Sequence, residues 1–398
     1  MSATEITKTA EFNAAQAWAP VRDGSATATE VYAELRNRCP VARAPGEEKH
    51  DIWYSFAAAD VARILTDPET FASSSEVKRF GMALIPIETD PPEHTGYKAL
   101  FKDMLAPRRL MKFEQTVRDH VGRELDRLIP LGTFDIAPLT EAVPLQIFSQ
   151  LLGEENLTFH EIDARRREER GASELGKLDG EAAERRRNSL EPLLNFCRER
   201  LAAVRENPGE NLATDIAFGK IDGRPLSDQE ILSIYIMVYI AGHRTTTGGL
   251  QAAILQLGQH PEAQDELRAN TRKIPAAIEE ALRLETPFHA LPRHCTADTT
   301  VGGQAIRKGD QMFPCYGAAN LDPAAFPDPG KFDIDRKPAH FAFGRGIHMC
   351  AGAPLARMEI RVLVEELLKR TQRFELAGQP ERLEWPDNGC SRLEITVS

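Results

Sequence analysis

The sequence contains no CxxC pair. Its six cysteines, Cys39, Cys197, Cys295, Cys315, Cys350 and Cys390, are scattered through 398 residues. That spacing supports neither a disulfide framework nor a structural zinc site. No window approaches ~18 uninterrupted apolar residues, so no hydrophobic membrane-spanning helix is expected. The opening stretch "MSATEITKTAEFNAAQAWAP" carries acids and lacks the apolar core of a secretion signal, which makes the cytoplasm the expected location. Positive charge is in deficit: 49 Lys and Arg stand against 60 Asp and Glu, a net charge of −11. Nucleic acid binding needs clustered cations over a broad face, so it is not expected. Two local basic runs, "ARRREER" and "AAERRR", read as solvated helix faces or as small basic patches.

What is present is ordinary globular material, 42% hydrophobic and 27% charged, enough for a sizeable core. There is no internal repeat and no low-complexity linker, and residues 1–20 read as a flexible lead-in. "VYAELRNRCP" reads as a helix, "HDIWYSFA" as a strand, and "DVARILTD" as a second helix entered at an acidic cap. From about Pro107 to Leu282 the apolar spacing is helical. The longest run starts at a capping box, Ser227 and Glu230, and continues for roughly 30 residues, about 45 Å of helix. It is apolar almost all round and so belongs in the interior. Its centre nevertheless holds Gly242, three threonines, Gly248 and Gly249, all poor helix formers. Either small residues allow close packing there, or the helix is loosened beside a ligand. After Pro287, "RHCTADTTVGGQAIRKGDQMFPC" reads as short hairpins turning at Gly-Gly and Gly-Asp. A last long helix, "LARMEIRVLVEELLKR", and a C-terminal strand region follow. Helices dominate, with small sheets at the edges.

One cysteine stands apart. In "HFAFGRGIHMCAGAPLAR", Pro354 is preorganised for a first helical turn and puts a helix start just beyond Cys350. Free backbone N–H groups and the helix dipole then favour the thiolate. Gly344, Gly346 and Gly352 clear side chains away, allowing a flat partner to approach or the backbone to take positive φ. Phe343 offers an aromatic cover. Such a thiolate suits a metal or, with His348 as base, nucleophilic catalysis. A haem accounts for more of these features together, since an axial thiolate pushes electron density onto iron.

"FAFGRGIHMCAG" resembles the haem-binding signature of the cytochrome P450 enzymes, matching at Phe343, Gly344, Gly346, His348, Cys350 and Gly352. Other elements resembling that family occur in order along essentially the whole chain. "EALR" matches its E-x-x-R element at Glu280 and Arg283, an i,i+3 pair on one helix face. "FPDPGKFDIDR" resembles the segment that completes the same clamp through Arg336. "DPPEHTGYKALF" resembles the helix that contacts haem propionates, matching at His94, with Lys98 where arginine is common. "PRH" places Arg293 where bacterial members use a propionate-binding arginine. The resemblance implies a mainly α cytochrome P450 fold over residues 1–398, a large helical domain with small β-sheets. It implies haem b with Cys350 as the iron ligand, and His94, Lys98, Arg293, Phe343, His348 and Gly352 at the cofactor.

The resemblance breaks at the oxygen-activating sequence, usually A-G-x-(Asp/Glu)-Thr and here "AGHRTT". Ala241, Gly242 and Thr245 match, but Arg244 replaces the acid that helps deliver protons, and a guanidinium stays protonated. Three readings follow. His243 or water takes over the relay beside Thr245, or Arg244 turns away into an ion pair. Otherwise dioxygen activation is impaired, and the haem uses peroxide or does something else. By resemblance the substrate wall includes Ser75, Val238, Ala241, Phe288, His289 and Leu291. That mixture suits a small, mostly apolar molecule with one polar handle, terpenoid or aromatic. The implied activity is insertion of one oxygen atom from dioxygen, as hydroxylation or oxidative demethylation. Electrons are expected from a separate ferredoxin or flavodoxin with its NAD(P)H reductase. Arg345, Arg357 and Arg361 around the cysteine loop are the expected docking cations. The alternatives are a peroxide-driven or non-oxygenating haem–thiolate enzyme, and a haem or ligand-binding protein without turnover.

Overall fold

A computed structural model describes residues 12–44, 50–75, 82–153 and 180–398. The helices, in chain order, begin with α1 (Ala14–Arg22), α2 (Ala28–Arg38), α3 (Ala58–Thr66), α4 (Glu93–Met104) and α5 (Pro107–Leu128). Next come α6 (Ala137–Leu151), α7 (Gly180–Glu206), α8 (Leu212–Ala217), α9 (Asp228–Ala241) and α10 (Arg244–Gln259). The last four are α11 (Pro261–Ala269), α12 (Ile274–Leu284), α13 (Tyr316–Asn320) and α14 (Ala353–Arg370). The expected mainly helical architecture with small sheets is what forms. "ARRREER" lies outside the described residues, as do the side chains of "AAERRR".

The chain divides into two compact units, each assembled from separated stretches. The first holds residues up to Ser73, Leu110–Glu141 and Arg244–Ser398; the second holds Ser74–Arg109 and Ala142–His243. Within the expected flexible lead-in of residues 1–20, the described part is ordered: α1 starts at Ala14, and its Trp18 is buried at 2% exposure.

In the first unit a five-stranded sheet joins β1 (Val41–Ala44), β2 (Ile52–Ser55), β3 (Phe71–Ala72), β7 (Arg293–Cys295) and β10 (Gln311–Pro314); β4 (Thr133–Asp135), β5 (Lys220–Ile221) and β6 (Arg224–Pro225) are not part of it. Chain-distant strands meet in it: β10 runs parallel to β2 and antiparallel to β7. Between them, the glycine pair at 302 and 303, both at positive φ, turns the expected hairpin of β8 (Thr299–Val301) and β9 (Gln304–Ile306). The helix at "DVARILTD" forms as expected, but its cap is different. Asp60 lies inside the first turn, and the Ala58 N–H is capped by Asp322 at 2.8 Å from 264 residues away. A chain-distant carboxylate performs the N-cap role that a local Asp usually fills.

The second unit locks α4, α9 and the 220–225 hairpin around one acid. Tyr97 donates to Glu230 Oε1 at 2.5 Å, and Arg224 donates to both Glu230 oxygens at 2.7 and 2.9 Å. These donors hold the Glu230 carboxyl well below the usual range, Arg224 being the largest influence. Glu230 also closes the capping box expected with Ser227.

The expected thirty-residue helix is interrupted. α9 ends at Ala241, and α10 begins at Arg244. Gly242 still reaches the Val238 carbonyl at 3.3 Å, but the Phe148 ring stands 2.0 Å from where a Cβ would lie. Further on, a Cβ at Gly249 would come within 2.9 Å of Ile360. Close packing therefore accounts for both glycines, and the helix breaks at the first of them.

Candidate active site

The loop before α14 is folded by its own backbone. The Gly344 N–H donates to Phe341 O at 2.8 Å, Cys350 N–H to Phe343 O at 2.8 Å, and Met349 N–H to Gly346 O at 3.2 Å. Gly344 and Gly346 take φ of 69° and 70°, which L side chains resist. Gly346 has a second reason to be glycine: a Cβ would stand 2.5 Å from the Leu65 carbonyl oxygen of α3. Gly352 is different. It lies in ordinary helical geometry, and a Cβ there would meet only the Cys350 sulfur, at 3.8 Å.

Of the six thiols, Cys350 alone is exposed. Burial pushes Cys295 and Cys390 up to about 12 and raises Cys315 as well, so these are inert thiols. The Cys350 thiol sits at the start of α14 beside a guanidinium. Arg357 lies 4.4 Å over the Phe343 ring and donates to both Glu279 oxygens at 2.7 Å. Its pKa is raised, chiefly by Glu279, with a contribution from the negative charge of Cys350.

Under the loop, Glu280 and Arg283 form a pair with both side chains 0% exposed. All five N–H groups of Arg283 are used. Nε and one terminal nitrogen donate to Glu280 at 2.7 Å each. The rest go to the carbonyls of Asn320, Pro329 and Lys331 at 2.8, 2.6 and 3.1 Å. Arg336 Nε adds a third contact to Glu280 at 2.9 Å. The expected three-residue clamp is assembled.

A family model described as Cytochrome P450 matches residues 172–391. Linalool 8-monooxygenase of Pseudomonas putida is 30% identical over 391 residues, covering 92% of this chain and 95% of that protein. This chain belongs to the cytochrome P450 family. Erythromycin C-12 hydroxylase of Saccharopolyspora erythraea is 33% identical, with 88% of each chain covered. Among solved structures, CYP109E1 from Bacillus megaterium in complex with testosterone superposes with a TM-score of 0.83 at 27% identity, covering 94% of this chain and 99% of that one. The chain is therefore an oxidoreductase of a family whose relatives are monooxygenases and hydroxylases, and its cofactor is haem b, which the family holds through a cysteine thiolate.

The residues present fit that cofactor. Among the described residues, no group of three or more His, Cys, Asp or Glu could hold a metal ion. A lone thiolate suits a metal whose other positions a macrocycle already fills. Beside the sulfur, Gly352 carries no side chain, so only the Cys350 sulfur would face a Cβ there, at 3.8 Å.

The residues that the family resemblance assigns to the cofactor lie on several elements of this P450. Arg293, in β7, is buried at 5% exposure and donates to the Pro292 carbonyl at 2.9 Å. His348 and Phe343 are half-buried in the cysteine loop. His94 (buried) and Lys98 (half-buried) stand four residues apart on α4, which puts them on one face of it. At the helix interruption His243 is buried, while Ala241 and Thr245 are both exposed. Arg244 is ion-paired with Asp387.

The substrate-wall residues fare differently. Ser75, Phe288 and Leu291 are half-buried, and Val238 is buried. His289 is 1% exposed within an aromatic cluster, stacked on Trp385 with ring centroids 4.5 Å apart and hydrogen-bonded to the Tyr32 hydroxyl at 2.8 Å. Burial, then Arg382, pushes its pKa down from 6.5 to about 3. The unfolded chain therefore takes a proton below pH 6.5 that the folded protein refuses, and stability falls as pH drops through that window. Urea unfolding of parent and His289→Phe is expected to show about 2 kcal/mol of the parent's loss between about pH 7 and pH 5 missing in the variant. Equal losses would place the titration elsewhere. Sequence reading had no signal for Asp387 and Glu279, the partners of Arg244 and Arg357, because they are 143 and 78 residues away.

No helix among the described residues is long and apolar enough to cross a membrane.

Proposed function

We propose that this cytochrome P450 inserts one oxygen atom from dioxygen into a small, mostly apolar organic molecule, as a hydroxylation or oxidative demethylation, with Cys350 as the iron ligand. The observation that carries this reading is the single exposed thiol at the start of α14, in a loop held open by left-handed glycines. Bound haem would supply the iron chemistry for activating dioxygen, and Cys350 would hold it through its thiolate.

The chain's own residues do the rest. The α14 N-terminus and Arg357 hold Cys350 as the thiolate. His94, Lys98, Arg293 and His348 supply the donors for the propionates, with Phe343 and Gly352 flanking the sulfur. Thr245 presents its hydroxyl at the start of α10, and His243 or water moves protons where an acid is usual. Ser75, Val238, Ala241, Phe288 and Leu291 line the substrate, with His289 backing Phe288 from inside its aromatic cage. A terpenoid or aromatic substrate with one polar handle fits them, and the relative named for linalool supports the terpenoid choice. We read residues 1–398 as one P450 domain working in the cytoplasm.

Electrons come from a ferredoxin or flavodoxin and its NAD(P)H reductase. Of the docking arginines, Arg357 is paired with Glu279, and Arg361 with Glu114 and Glu365. Arg345 instead lies 3.8 Å over the Phe341 ring and donates to the Ala339 carbonyl. Arg345 therefore gives the larger share of usable positive charge. Arg345→Glu is expected to slow reduction by a surrogate ferredoxin, more so at low salt. A rate independent of salt in both proteins would remove the docking role.

The replacement of the usual acid by Arg244 favours a second reading, in which the haem works from peroxide. Product formed from NADH with surrogate redox partners supports the main reading. Product formed only from hydrogen peroxide selects the second, and product in neither regime leaves a binding protein.

A further inference from the structure

Arg244, Gly248 and Gln251 recur at i, i+4 and i+7 along α10 and so share one face of it. Each meets the same short C-terminal stretch. Arg244 is ion-paired with Asp387. At Gly248 a Cβ would stand 3.1 Å from the Asn388 carbonyl oxygen and 3.0 Å from the Pro287 side chain. Gln251 donates to the Cys390 carbonyl at 3.0 Å and accepts the Cys390 N–H at 2.7 Å.

The stretch is also stitched to the segment that follows α12. Asn388 N–H donates to Pro287 O, and His289 N–H to Pro386 O, both at 2.9 Å. Phe288 and Asp387 form an antiparallel bridge. Residues 385–390 and 287–289 thus form one small wall, and α10 grips it at three points. Two of the grips, at Gly248 and Gln251, are close packing and buried hydrogen bonds. The third is an ion pair whose side chains are 30% and 14% exposed.

We propose that Arg244 is a positioning residue for the substrate wall: its pair with Asp387 latches residues 385–388, and through them 287–289, onto α10. This rests on the monooxygenase reading, which places Phe288 at the substrate. Charge logic explains the odd residue. A permanently protonated guanidinium cannot pass a proton along, but its planar fork suits a carboxylate. A cation here, where related enzymes place an acid, is matched by the anion on the loop.

The test compares haem-loaded parent with Arg244→Gln, Asp387→Asn and the swapped pair Arg244→Asp/Asp387→Arg. Backbone hydrogen exchange is followed at the Asn388 and His289 amides, and binding of 4-phenylimidazole to the iron is followed by absorbance. Each single variant is expected to exchange about tenfold faster at both amides, because removing one partner of a partly buried charged pair gives up the attraction that holds the wall against α10. Each is also expected to bind 4-phenylimidazole several-fold more weakly, with both properties recovering in the swapped pair. Unchanged exchange in the single variants, or no recovery in the swap, overturns the latch. Should Arg244→Gln not fold, Asp387→Asn against the swap still decides it. A chain that takes up no haem refutes the monooxygenase reading, while the exchange comparison continues to judge the latch by itself.

Discussion

Arg283→Ala is expected to cost about 3–5 kcal/mol of folding stability, the penalty for removing one partner of a fully buried ion pair. The loss is not confined to one bond. Glu280 is left at 0% exposure with Arg336 as its remaining cation, and three backbone carbonyls lose the N–H groups they accept. The guanidinium also lies 5.3 Å from the Phe326 ring centroid, a contact that disappears too. Arg283→Lys fares little better, since an ammonium has three donors and no planar fork where five are in use. Arg336→Ala costs less, because that side chain is 13% exposed and water can replace part of it. Urea unfolding of the three variants tests the ranking. An Arg283→Ala protein within about 1 kcal/mol of the parent would reduce the clamp to an ordinary ion pair. The clamp supports the segment leading into the cysteine loop, so haem content is expected to fall with stability in this series.

Cys350→Ser is expected to do the reverse, leaving the fold and abolishing the chemistry. The side chain is exposed, and the local bond it needs, its own N–H to Phe343 O, belongs to the backbone. Stability is therefore expected to move by no more than about 0.5 kcal/mol. A serine hydroxyl stays protonated where a thiol at a helix N-terminus ionises, so it is a poor axial ligand. The dithionite-reduced protein under carbon monoxide should lose the strongly red-shifted band of a thiolate-ligated haem, and turnover should fall to background. Replacing Cys295 or Cys315, both held protonated by burial, should leave that band in place. A red-shifted band that survives in Cys350→Ser would move the ligand elsewhere. No haem absorbance in the parent, even with ample haem precursor, would return the loop to the nucleophilic-thiol reading.

Features carried by short stretches of chain were legible in advance. The capping box at Ser227 and Glu230, the turn at residues 302 and 303, and the i,i+3 pairing of Glu280 with Arg283 are set within a few residues by local geometry. The cysteine loop was legible for the same reason, because its backbone–backbone hydrogen bonds join residues no more than seven apart. Periodicity failed where neighbours decide. It cannot see the Phe148 ring pressed against Gly242, and so it extended one helix across the break between α9 and α10. Nor could it see that His289 packs into a cage with Trp385 and Tyr32.

The sequence by itself determined the helical class and the glycine turns of the cysteine loop, since propensity, spacing and φ are carried locally, while the clamp and the haem reading of that loop came through resemblance to the cytochrome P450 family. Tertiary structure alone decided who partners whom: Asp322 as the cap of α3, Glu279 beneath Arg357, and Asp387 opposite Arg244. Charges separated by 78 to 264 residues leave no periodic trace, and only the folded backbone brings them within reach.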